Sequence, residues 1–187
     1  MAFLGALWLP ILVSAVLVFV ASYLMHMVLA YHRTDFRKLP SEDAVMDALR
    51  PFNLTPGDYH APFSDSPATM SHPDFLAKMK KGPVFMMTVF QAGDVAMGRR
   101  LLNWFLFCVV VGVFSAYLTS RALPAGAPYL EVFRFAGTVA FAGYGLALWE
   151  NTIWYNRAWT TTLKQTIDSL VFGLLTGGAF GWLWPTA

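Results

Sequence analysis

Charge is what this sequence has least of. Asp, Glu, Lys and Arg together make up 13% of its 187 residues, where a soluble domain carries about 25%. Met1 to His32 contains none of the four. Disordered chains are poor in apolar residues and rich in charge, so that class is excluded. Cysteine is nearly absent as well. Cys108 stands alone, which excludes a disulfide framework, a CxxC redox pair and covalent haem attachment. The chain has no GxxxxGK[ST], no GxSxG and no HExxH, so the nucleotide, serine-hydrolase and zincin readings that rest on those spacings fall away. Basic residues do not dominate any long stretch, so a nucleic-acid surface is not expected. No catalytic residue, cofactor or metal ligand set is assigned from this reading.

What is present is apolar: 57% of the residues are hydrophobic. They lie in runs. Leu7 to Tyr31 is uncharged, as are Leu101 to Ser120, Phe135 to Trp149 and Ser169 to Ala187. A helix of about 20 apolar residues crosses a hydrocarbon core of about 30 Å. The runs are apolar on all sides and lack the alternation of a barrel strand. With no water to satisfy the backbone, helices remain. The expected fold is an all-α membrane protein with four transmembrane helices, at 7–31, 100–121, 129–150 and 166–184. The first run lacks the basic start and the short core of a signal peptide. Pro10 falls near the start of the first helix and Pro128 in the first turn of the third, where a missing donor costs little. The division is residues 1–32 for the first helix, 33–99 for an insertion and 100–187 for the remaining helices.

Lys and Arg mark the cytoplasmic side of a membrane protein. Nine of the thirteen lie in residues 33–100, and Arg157 and Lys164 add to the same side; only Arg121 and Arg134 oppose them. The expected topology is a multi-pass protein of the cell inner membrane, with both termini outside and the insertion in the cytoplasm. The insertion reads as short helices. Ser41 is placed to cap one that ends near Arg50, and Ser71 another that runs to Gly82. Residues 51–70 read as turns or loop. The run PVFMMTVF at 83–90 reads as a strand or an interfacial stretch, the latter preferred because a lone strand has nothing to pair with unless a second copy supplies the partner.

Ser169, Gly173, Gly177 and Gly181 recur every four residues and make a flat helix face for close packing, within the bundle or between two copies. Ala136, Ala140, Gly143 and Ala147 form a companion seam on the third helix. Ionisable groups in membrane helices are costly, so each is a candidate site. His26, Glu150, Asn151, Lys164 and Asp168 reach the cytoplasmic end together under this threading, with His32, Asn103, Arg99 and Arg100 at similar depth. Lys164 and Asp168 share one face as an i,i+4 ion pair. The cluster reads as a structural polar layer, a proton- or ion-handling site, or a metal site using His26, Glu150 and Asp168.

The stretch ALWENTIWYNRAWTTTLKQTIDSL carries an aromatic turn between the last two helices. Over the final 60 or so residues it resembles uncharacterised bacterial four-helix integral membrane proteins, and the resemblance implies topology only. The expected role is structural or accessory, with the bilayer and a membrane-protein partner or second copy as contacts. A small transporter or channel subunit is the alternative, and a membrane enzyme comes third.

Overall fold

The computed structural model of the protein describes residues 2–93 and 96–186. The chain forms two compact units, Met1–Arg37 with Ala96–Ala187, and Lys38–Val95. The unit boundaries fall a few residues inside the 33–99 limits read from composition.

The first unit is a helix bundle. Its elements are α1 (Ala2–Tyr23), α5 (Met97–Ala122), α6 (Tyr129–Phe141), α7 (Leu148–Tyr155) and α8 (Trp159–Trp182). The long helices contact one another as a ring: α1 with α5, α5 with α6, α6 with α8, and α8 with α1. In α1 the buried residues are Leu7, Pro10, Ile11, Ser14, Ala15, Val18 and Ser22, at the three-and-four spacing of one helix face. The opposite face exposes Trp8, Leu12, Val16, Val20 and Tyr23. A soluble helix would put polar side chains there; this outer surface suits hydrocarbon.

Among the described residues, three helical stretches are long and apolar enough to cross a membrane: Leu4–Val28, Met97–Ala122 and Tyr129–Tyr155. The last helix differs. It begins at Trp159, seven residues before the expected start at 166, and its first half carries Thr160, Thr161, Thr162, Lys164, Gln165, Thr166 and Asp168. Pro10 is buried inside α1, which begins at Ala2, and does not sit in the first turn. Pro128 precedes α6 as its N-terminal cap.

Neither the first nor the third span is a straight α-helix. α1 gives way to a π-helical turn at Leu24–Val28, an extended Leu29 and a 3-10 turn at Ala30–Thr34. The expected helix to residue 31 therefore ends early. A second π-helical turn, Ala142–Leu146, joins α6 to α7. Such turns widen the helix by a residue and commonly mark functional positions.

The glycine seam of α8 packs inside the bundle, against α6. A Cβ on Gly177 would stand 2.6 Å from the Phe133 carbonyl oxygen, and one on Gly173 would stand 2.9 Å from that of Gly137. Gly181 lies against Tyr129, and Ser169 against Gly145. The matching face is thus Phe133, Gly137, Phe141 and Gly145. The seam expected from Ala136, Ala140, Gly143 and Ala147 looks elsewhere: Ala136 and Ala140 are in the apolar core and Gly143 faces Val111. Small size alone misled, because alanine fills a core as readily as a groove.

The second unit corrects the all-helical expectation. It holds α2 (Glu42–Leu49), β1 (Gly57–Ala61), α3 (Pro67–Ser71), α4 (Pro73–Lys81) and β2 (Phe85–Val89). The strands pair antiparallel, with Tyr59 opposite Met87, and Thr88 Oγ1 donates to Asp58 Oδ1 at 2.6 Å. The apolar run at 83–90 is therefore a paired strand. Its partner GDYHA was hidden between Pro56 and Pro62 in a stretch read as loop. Two caps also differ. Ser41 has a left-handed backbone, φ 48°, and makes no side-chain cap. His72 caps α4 through Nδ1, which accepts from the Asp74 amide, while Ser71 ends α3. Among the described residues this unit has no buried side chain.

A leucine at Gly177 must push α6 and α8 apart, because the obstructing atom is backbone. Gly177→Leu should lower stability by at least about 2 kcal/mol, the scale of overpacking. Thermal unfolding in detergent followed by circular dichroism measures this; an unchanged midpoint would contradict the seam.

Candidate functional site

The break in α1 builds the site. The π-helical turn brings the His26 ring back over its own helix, with Nδ1 3.0 Å from the Ser22 carbonyl oxygen. Ser22 is itself fixed: its hydroxyl donates to the Phe19 carbonyl at 2.8 Å and accepts from the Trp104 indole at 2.8 Å, tying α1 to α5. The 3-10 turn then lays Tyr31, His32 and Thr34 beside the start of α8. His32 Nδ1 lies 2.7 Å from Asp35 Oδ2, and its Nε2 lies 2.8 Å from Asp168 Oδ2. The Tyr31 hydroxyl donates to Asp168 Oδ1. Lys164 Nζ donates to the Tyr31 carbonyl at 2.6 Å, to Thr34 Oγ1 at 2.7 Å and to Asp35 Oδ1 at 3.0 Å. His26 stacks flat on His32, with ring centroids 4.1 Å apart and planes within 5°.

The cluster is closed to solvent at its centre. Side-chain exposure is 4% for Asp168, 7% for His32 and 8% for Asp35, against 46% for His26. Burial works against the Asp35 charge, but the hydrogen bonds from His32 and Lys164 outweigh it and hold the carboxyl below its usual range. Both tautomers follow from chemistry. A carbonyl and a carboxylate oxygen only accept, so His26 and His32 each carry a proton on Nδ1. An imidazole that donates from Nδ1 offers Nε2 as its ligand atom.

His32 Nε2 and Asp168 Oδ2 are close, yet the approach is off the line of a ring N–H, and both buried atoms are without a hydrogen-bond partner. Buried polar atoms are ordinarily paired. His26 Nε2 is 3.8 Å from the same Oδ2. Beside His26 an apolar groove of about 340 Å³ opens, lined by Phe19, Tyr23, Met27, Leu101 and Trp104.

Of the residues named from sequence, His26, Lys164 and Asp168 come together here. Glu150 is exposed and takes no part, and the Asn151 amide donates to its own helix at Leu148 O. The expected Lys164–Asp168 pair does not form, since Lys164 turns to Asp35. Tyr31, Thr34 and Asp35 were missed, and His32 was placed only by depth. A straight helix to residue 31 carries them away from α8; only the break turns them toward it. The one available signal was the His32–Asp35 spacing, which suits a pair on a tight turn.

No family model matches the chain, and neither a curated protein nor a solved structure is significantly similar to it.

Lys164 is the strap that holds the 3-10 turn against α8. Lys164→Met should cost about 2 kcal/mol, the scale of charged hydrogen bonds. It should also speed amide hydrogen exchange across Ala30–Thr34. Exchange as slow as in the wild type would show that the turn is held by something else.

Proposed function

We propose that the protein is a small multi-pass inner-membrane protein of accessory role, which presents residues 38–95 to a partner protein. In this reading α8 is a fourth span, the insertion is cytoplasmic and both termini are outside. The observation that carries it is the surface of the second unit. Phe52 is 71% exposed and Phe63 72%, and Leu76 and Met86 are exposed with them. A unit of that size with no buried side chain among its described residues is marginal by itself, and exposed apolar surface of this kind serves for contact. The basic residues that flank the spans support the orientation.

The test has a topological arm and a partner arm. In a Cys108→Ala background, single cysteines at Ser66→Cys and Ala125→Cys report the two sides. An impermeant maleimide on intact cells should label the second and not the first; labelling at residue 66 from outside would reverse the threading. A membrane-protein partner should co-purify with the wild type and be lost on Phe52→Ser with Phe63→Ser. Retention by that variant would remove the proposed surface.

One observation favours the second reading, an ion-handling subunit: the unpartnered atoms of His32 and Asp168. The accessory reading expects no cation flux in reconstituted vesicles above the empty-vesicle level. A flux abolished by Asp168→Asn would overturn it in favour of transport.

A further inference from the structure

We propose that His26, His32 and Asp168 form a binding site for one divalent first-row transition ion. The site goes beyond the accessory role and does not depend on it. The three candidate ligand atoms, one from each residue, lie within 4.8 Å of one another. Two imidazoles and one carboxylate suit zinc, iron(II) or manganese(II), whereas calcium and magnesium prefer all-oxygen surroundings.

The arrangement around these ligands is what an ion needs. Metal-bound histidines generally donate their other nitrogen to a carbonyl or carboxylate, which orients the ring. His26 Nδ1 does so to the Ser22 carbonyl, and His32 Nδ1 to Asp35, itself held by Lys164. Asp168 has its Oδ1 occupied by Tyr31, leaving Oδ2 inward. The free atoms, His32 Nε2 and Asp168 Oδ2, sit on side chains more than nine-tenths buried and have no hydrogen-bond partner. Two atoms bound to one ion at about 2.1 Å and a right angle stand about 3 Å apart, each lone pair aimed at the ion and not at the other atom. The 2.8 Å off-line approach of Nε2 to Oδ2 has this form.

His26 is the movable ligand. It is half exposed and stacked flat on His32, so its ring must turn to aim Nε2 at the ion. Three protein ligands leave at least one position open for an exogenous ligand.

The experiment uses the full chain in detergent, stripped with a chelator and desalted, with Zn²⁺ and Co²⁺ as probes. Elemental analysis after a second desalting should find one zinc per chain in the wild type. Asp168→Asn and His32→Gln should retain less than about a tenth of that, and Glu150→Gln should retain it all. His26→Ala, a half-exposed change that the fold tolerates, should weaken zinc binding about tenfold or more. It keeps the test open if either buried variant fails to fold. Co²⁺ in the wild type should give visible absorption bands that zinc bleaches. Retention of no zinc by the wild type, or equal affinity in the wild type and His26→Ala with no Co²⁺ bands, would overturn the site. His32 and Asp168 would then be a buried ion pair only.

Discussion

The burial of Asp168, met by the Tyr31 hydroxyl, is the constraint on which the bundle's polar end depends. A carboxylate nine-tenths buried among apolar helices is costly unless it finds partners. Its own helix offers none at that depth: Lys164, one turn back, is drawn off to Asp35. The partners come from the chain beyond α1, and α1 must break for them to arrive. The π-helical turn, the extended Leu29 and the 3-10 turn are the backbone's answer, and Tyr31, His32 and Lys164 lock it. Removing a member leaves an uncompensated buried group, which is why such networks tend to hold together or fail together.

The glycine seam sets up this contact from the other side of α8. Residues in an α-helix advance about 100° each, as 3.6 residues complete a turn. Ser169 and the three glycines face α6, so Asp168 is turned toward the end of α1, and Lys164, one turn earlier, shares that direction. Close approach of α8 to α6 and exposure of Asp168 to α1 are two faces of one helix placement. The second π-helical turn, at Ala142–Leu146, lies where Gly145 meets Ser169, so the seam continues through the irregularity.

Much of this was legible in residue order, and the limits are instructive. The long apolar stretches announced themselves by length and lack of charge. The α8 seam did so because three glycines in register are expensive in a helix without a packing reason. Its partner face was misread, since Ala136 and Ala140 serve the core and Phe133 and Phe141 flank the true groove with their backbones. His26, Lys164 and Asp168 could be gathered by depth. Tyr31, Thr34 and Asp35 could not, because nothing local in LMHMVLAYHRTD marks a break; distant polar groups on α8 draw the chain there. The short strands were obscured for a related reason. Neither buries a face fully, Tyr59, Ala61, Met87 and Val89 being only half-buried, so pairing had to be seen in three dimensions.

The most direct test of that constraint is a double-mutant cycle on Tyr31→Phe and Asp168→Leu, read as unfolding free energy in detergent. Each single change removes the Tyr31–Asp168 hydrogen bond and should cost about 1.5–3 kcal/mol. The double variant should cost clearly less than the sum, with a coupling of at least about 1 kcal/mol. Additivity to within about 0.5 kcal/mol would mean that the two side chains do not act on each other, and the account of the polar end would fail.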